Sequence, residues 1–277
     1  MNKFLLTILF FSFLFFNSCS YKPESVSRIR IKGSDTMLLL TNYLAEEYMK
    51  QNPYVSIYVE GGGTASGIKA LSKGEVEIST ASRSLMGEEI KIIADKFGSL
   101  GMSFLIAKDA LSIYVNEKNK VRDFTLQQLK DIYTCKITNW KELGGADKPI
   151  VPFVRTPNSG TYLYFKDHIL LGEEYCSSAQ VEITTENIIE QVESNVNAIG
   201  YGGIGFKGDF VSAKINGIEA SEENVRNDKY PISRYLHFYT LNLPTGEVKK
   251  FIDWILSPEG QKIIKQVGYV PLWERPF

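Results

Sequence analysis

The sequence predicts an α/β fold with a largely parallel sheet. Short alternating or fully apolar runs are followed, again and again, by segments with helical spacing. Three of these strand-to-helix junctions carry Gly and hydroxyl residues, at 33–36, 61–67 and 155–161. With 44% hydrophobic residues and 12% aromatics, a chain of 277 residues can bury a full core.

Met1 to Ser18 stands apart from that fold. Lys3 precedes an apolar run from Phe4 to Phe16, broken only by Thr7 and Ser12. At about thirteen residues it is too short to span a bilayer, which takes roughly 20. It fits the core of a secretory signal peptide. Ser18-Cys19 then resembles a bacterial lipoprotein signal, which makes Cys19 the lipidation site and residues 19–27 a lipidated tether. An ordinary signal with an incidental Cys is the other reading. Stable attachment takes more than one acyl chain. The exported protein would be held at the bacterial cell envelope by that anchor alone.

Arg28 to Lys32 alternates as a first strand. Met37, Leu40, Leu44 and Tyr48 mark a helix from Thr36 to Gln51, stopped by Asn52-Pro53. Val55, Ile57 and Val59 alternate in a strand over 54–60. A helix over 64–72, a strand over 76–81 and a helix over 88–97 follow. Met102 to Val115 holds two apolar stretches, split by Lys108-Asp109. Further on, 126–133 reads as a helix, 150–154 as a strand and 160–169 as a helix. Residues 188–194 are helical, 199–206 extended and 236–241 a strand. Gly246 to Val267 has the clearest helical period, restarted at Ser257-Pro258.

The charge balance is close to neutral, 31 Lys+Arg against 32 Asp+Glu. That gives no electrostatic footprint for nucleic acid. Losing the signal removes Lys3 and no acid, so the mature chain carries net −2. Two His and three Cys leave little material for a metal site or a His-based mechanism. Once Cys19 is set aside, Cys135 and Cys176 remain. Export permits a disulfide between them. Two free thiols fit the sequence equally well.

The three junctions share one design. A helix start offers unpaired N–H groups and the positive end of the helix dipole. Gly allows close backbone approach, and hydroxyls add donors. Each is therefore an anion-binding corner, although each alone also reads as ordinary capping. Arg155 in the third junction and Arg83, after the strand ending at Ala81-Ser82, suit an oxyanion. Gly200 to Gly205 spells GxGxxG, but no helix is predicted after it, so a dinucleotide site is not expected. No P-loop, GxSxG, HExxH or CxxC occurs.

In this order, the junctions resemble those of periplasmic phosphate-binding proteins of the PstS type, subunits of ABC importers. The likeness includes Gly61 to Leu71, Ile137 to Gly145, Arg155 to Thr161, Ile199-Gly200-Tyr201 and Gly268 to Leu272. It implies a two-lobed type II binding-protein fold with a hinge of two crossover strands. Lobe 1 would take 28–108 and 236–277, and lobe 2 would take 109–235. The implied phosphate-binding residues are Ser34, Asp35, Thr36, Thr64, Ser66, Gly67, Arg83, Arg155, Ser159, Gly160 and Thr161. Two positions depart from the family pattern. Arg83 stands where an Asp commonly accepts the phosphate proton, and Pro157 where an Asp commonly pairs with the Arg. Asp35 is then the candidate acceptor.

The implied partners are inorganic phosphate and the permease and ATPase subunits of an ABC importer, with the binding protein itself a monomer. No cofactor, metal or catalysis is implied. The alternatives are another tetrahedral oxyanion (sulfate, molybdate or tungstate), a phosphatase using the same pocket, and an adhesin or signalling lipoprotein on the same fold.

Overall fold

A computed structural model describes residues 26–274. The signal peptide, Cys19 and most of the tether lie outside the described residues. The first half of the sheet contains β1 (Ser27–Gly33), β2 (Val55–Glu60) and β3 (Ile78–Ala81). Three helices alternate with them: α1 (Leu38–Gln51), α2 (Thr64–Lys73) and α3 (Gly87–Phe97). β1 pairs in parallel with both β2 and β3. A 3-10 turn at Asp35–Met37 leads into α1. Leu40, Leu44 and Tyr48 of α1 are buried against Ile29, Ile31 and Ile57 in one core. The apolar periods of 3.6 and 2 thus meet on one face.

The next strand, β4 (Met102–Asn116), runs unbroken for 15 residues. The expected split at Lys108-Asp109 does not occur. Asp109 is fully buried and paired, so the charge interrupts the apolar pattern without interrupting the ladder. After it come β5 (Asp123–Phe124), α4 (Leu126–Tyr133), β6 (Val151–Arg155), α5 (Gly160–His168), β7 (Gln180–Glu182), α6 (Thr185–Ser194) and β8 (Ala198–Gly203). The run closes with β9 (Phe210–Ile215), α7 (Glu222–Arg226), β10 (Ser233–Thr240), α8 (Gly246–Ile255) and α9 (Pro258–Gln266). Ser257 caps α9 and Pro258 opens it, as the restart requires.

The strand order is β2-β1-β3-β10-β4-β8-β6-β7, with β9 between β4 and β5. β4 does two jobs. Met102 to Ala110 pair antiparallel with β10, while Leu111 to Asn116 pair with β8 and β9. One long strand therefore belongs to both halves of the sheet. Each half has its own core. The first gathers Ile29, Leu44, Phe238, Phe251 and Ile264; the second gathers Ile113, Leu129, Trp140, Phe165 and Tyr201. The sheet is mixed: β10 and β4 run antiparallel to their neighbours.

In the second half a disulfide joins Cys135 and Cys176, whose Cα atoms are 5.5 Å apart. Of the two readings the sequence allowed, this is the bonded one. No helix among the described residues is long and apolar enough to cross a membrane.

Candidate functional site

The three junctions come together where the two halves of the sheet face each other. The first leaves β1, the second leaves β2 and opens α2, and the third leaves β6 and opens α5. Approach is close enough to require glycine twice. A Cβ on Gly160 would lie 2.4 Å from Thr64 Oγ1 and 2.6 Å from Ser82 Oγ. Gly63 has φ +88°, and a Cβ there would lie 2.8 Å from the Asn158 carbonyl oxygen. The starts of α2 and α5, from opposite halves, thus touch. Ala65 N–H donates to the Asn158 carbonyl (3.2 Å), and Asn158 Nδ2 donates to the Gly62 carbonyl (2.9 Å).

Arg155 ends β6 with its side chain 1% exposed. Its Nη2 donates to Asp35 Oδ2 (2.7 Å) and to the Ile183 carbonyl (2.7 Å). Nε also donates to Ile183 (3.1 Å), and Nη1 to Thr185 Oγ1 (2.9 Å). A guanidinium has five N–H groups. Four are engaged here, which leaves one on Nη1. Asp35 spends its other oxygen on Gly62 N–H, at 2.7 Å. In this chain Asp35 is therefore the partner of the arginine, the place where the family pattern puts the acid now replaced by Pro157.

Thr36 and Thr161 meet hydroxyl to hydroxyl at 2.9 Å, both buried. Ser159 caps α5, its Oγ accepting from Thr161 N–H (3.2 Å) and Tyr162 N–H (3.4 Å). Its hydroxyl oxygen is thus occupied by the helix it starts. Ser34 is buried, and its N–H donates to Thr80 Oγ1 at 2.9 Å. Thr64 Oγ1 accepts from Ser82 N–H at 3.3 Å.

Two candidates have other employment. Ser66 turns its hydroxyl back to the Gly63 carbonyl (2.9 Å). Gly67 is where α2 crosses β1: a Cβ would lie 2.4 Å from the Lys32 carbonyl oxygen. Arg83 is a third special case. Glu89 of α3 takes its Nη1 and Nη2, each at 2.8 Å. Its Nε is buried without a hydrogen-bond partner among the described residues, as is Ser82 Oγ. The charge of Arg83 is thus balanced by Glu89, and it does not join Asp35 and Arg155.

Two charged residues of the cluster are absent from the sequence prediction. Arg234 on β10 donates from Nε (2.9 Å) and Nη2 (2.8 Å) to Asp109 Oδ2 on β4. Nη2 also reaches Thr161 Oγ1 at 3.0 Å. Burial pushes the Asp109 carboxyl upward in pKa, and the Arg234 guanidinium opposes that rise. The signal for both was a charge set inside an apolar strand. Ser82, facing Gly160, is a third residue the prediction lacks.

Tyrosines hold the floor of this region. Tyr201 stacks on Phe165 of α5 with centroids 4.4 Å apart, and its hydroxyl meets Tyr175 at 2.9 Å. Burial raises the pKa of Tyr201, so it stays neutral as a hydrogen-bonding group. The GxGxxG letters fall on β8 and the turn after it. Gly200 and Gly202 pack against Ile188 and Thr185 of α6, and no helix follows. Among the described residues, no group of three or more His, Cys, Asp or Glu could hold a metal ion.

Chemically, the cluster is rich in donors, uncharged hydroxyls and helix N-termini, with each Arg partly neutralised by a carboxylate. That composition suits a small oxyanion. Residues 21–259 match the PBP superfamily domain. The chain is 31% identical to the phosphate-binding protein PstS of Pseudomonas aeruginosa over 263 residues, 87% of this chain and 81% of that one. It is 32% identical to the phosphate-binding protein PstS of Bacillus subtilis over 265 residues, 92% of this chain and 85% of that one. Among solved structures it resembles a phosphate ABC transporter substrate-binding protein with bound phosphate from Clostridium perfringens. There the TM-score is 0.83 at 36% identity, covering 89% of this chain and 100% of that one. An ABC-type phosphate transport receptor from Vibrio cholerae gives 0.72 at 29% identity, covering 88% and 100%.

Proposed function

Because the chain belongs to the PBP superfamily and, within it, to the PstS phosphate-binding proteins, we propose that it captures inorganic phosphate and delivers it to an ABC permease. The observation that carries this reading is the contact between the starts of α2 and α5 at Thr64 and Gly160. Two helix N-termini from opposite halves, with hydroxyls and Arg155 around them, give a site that forms when the halves close on an anion.

The proposed ligand-facing groups are Ser34, Thr36, Thr64, Gly160 and Thr161, with the remaining N–H of Arg155. Asp35 orients Arg155 and supplies the carboxylate that separates a protonated phosphate from sulfate. Ser66, Gly67 and Ser159 shape the helix starts. Arg83 contributes through its Nε, which has no hydrogen-bond partner among the described residues, and through Glu89. Lobe 1 is proposed as 28–108 with 236–277 and lobe 2 as 109–235. The double pairing of β4 supports a hinge near that division.

The protein works as an exported, Cys19-anchored monomer, beside permease and ATPase subunits, without catalysis. Calorimetric titration of the anion-stripped protein with phosphate, sulfate and molybdate tests the reading. Phosphate should bind at least tenfold more tightly than the other two. Equal or tighter sulfate binding would replace phosphate as the ligand, and turnover of a phosphate ester would replace binding with catalysis.

A further inference from the structure

Asp109 and Arg234 face each other directly in the β4–β10 ladder, and β4 is the strand that pairs with both halves. Their side chains are 0% and 2% exposed. Such a pair is a weak stabiliser, since desolvating two charges offsets most of their attraction. What distinguishes this one is its third member. Arg234 Nη2 also reaches Thr161 Oγ1, and Thr161 meets Thr36 across the cleft, 125 positions away in sequence. Gly203 packs at the same point, where a Cβ would lie 3.0 Å from Asp109 Oδ1 and 3.1 Å from Thr36 Cγ2.

The proton count fixes the first link of this chain and the number of O–H groups left over. Arginine can only donate, so Thr161 Oγ1 accepts from Arg234. Two hydroxyls carry two protons, and one of these is spent between Thr36 and Thr161. In either arrangement one O–H remains, polarised by the guanidinium behind it. The pair therefore presents a donor. It is assembled only when Thr36 and Thr161, from opposite halves, are together.

We propose that Arg234, held by Asp109, is a positioning residue that fixes the Thr161–Thr36 hydroxyl pair as a donor to the bound anion in the closed state. This rests on the phosphate-binding reading above. It adds a residue outside the three junctions and links β4 and β10 to the ligand.

A double-mutant cycle on the full chain tests it. Arg234→Lys keeps a positive charge beside Asp109 but lacks the planar fork that serves two acceptors at once. Phosphate Kd should rise at least about tenfold, while Tm moves by only a few degrees. In a Thr161→Val background the same change should cost less than about twofold, because Arg234 then has no hydroxyl through which to act. An unchanged Kd, or losses that simply multiply, overturns the proposal. If Arg234→Lys does not fold, the cycle is run with the charge-free pair Asp109→Asn and Arg234→Gln, judged by the same two outcomes. A wild-type chain that binds no phosphate instead removes the phosphate reading itself.

Discussion

Asp35 Oδ2 lies 2.7 Å from Arg155 Nη2, although 120 positions separate the two residues. One sits just after β1, the other at the end of β6, so the pair ties the two halves of the sheet together. The same carboxylate also accepts from Gly62 N–H. It thereby fixes the second junction against the first.

Asp35→Asn keeps the shape and removes the charge. The variant should bind phosphate more weakly, and the phosphate-to-sulfate affinity ratio should fall by at least tenfold. Charge-assisted bonds contribute about 1.5–3 kcal/mol, and tenfold takes only about 1.4. Titration with both anions measures the ratio. An unchanged ratio removes Asp35 from anion discrimination.

Arg155→Ala deletes four hydrogen bonds and leaves Asp35 without its cation. Phosphate affinity should drop well over tenfold. Stability should fall as well, since truncating a buried charge partner costs about 3–5 kcal/mol. Urea unfolding and titration on the same sample separate the two effects.

Gly67 and Gly160 look alike in sequence, and their alanine variants should fail differently. At Gly67 the added methyl would press on the β1 backbone at Lys32, so Tm should drop. At Gly160 it would press on Thr64 and Ser82 of the first half. There the main loss should be in phosphate affinity, of tenfold or more, because closure is obstructed. A Gly160→Ala protein with wild-type affinity would show that the two helix starts need not touch.

Much of this was readable beforehand, and the exceptions have a common cause. The alternation Val55, Ile57, Val59 and the spacing Leu40, Leu44, Tyr48 report burial directly, so β2 and α1 appear in the sequence. The three junctions are local motifs and appear too. Pairings over long separations do not. Nothing near Asp35 names Arg155, and nothing near Asp109 names Arg234. Burial of a charge is invisible to a hydrophobic pattern, so Lys108-Asp109 looked like a break in what is one strand. Arg83 looked available for an anion because Glu89 reads only as a helix surface residue. The strand at Phe210–Ile215 has no sequence signature because its buried positions, Ala213 and Ile215, are too few for a pattern.

His237 on β10 gives the fold an acid sensitivity. Burial lowers its pKa to about 4, and its Nδ1 lies 3.0 Å from Ser103 Oγ. The unfolded chain takes up the proton near pH 6.5, the folded chain only near 4. Its contribution is therefore whole above about pH 6.5 and is lost as pH falls toward 4, by at most about 1.4 kcal/mol per unit. His237→Gln should show a smaller Tm difference between pH 7 and pH 5 than the wild type. Parallel pH profiles would exclude His237 as the cause.

The Cys135–Cys176 bond closes a separation of 41 positions. Replacing both by Ser should lower unfolding free energy by about 2–4 kcal/mol. Urea titration under non-reducing conditions measures it, and reductant should bring the wild type to the same midpoint. Phosphate affinity should change little, since the bond ties α4 to the loop before β7, away from the junctions.

The way the two cores divide the chain has a consequence for synthesis and export. The first core contains Ile29, from the start of the described chain, and Ile264, from near its end. That half cannot close until α8 and α9 have emerged. The second core draws mostly on the uninterrupted stretch from Ala110 to Ile232, joined only near the end by Val270. A chain threaded out N-terminus first would thus have nearly all of its middle in hand while its earliest strands still wait for the last helices that cover them.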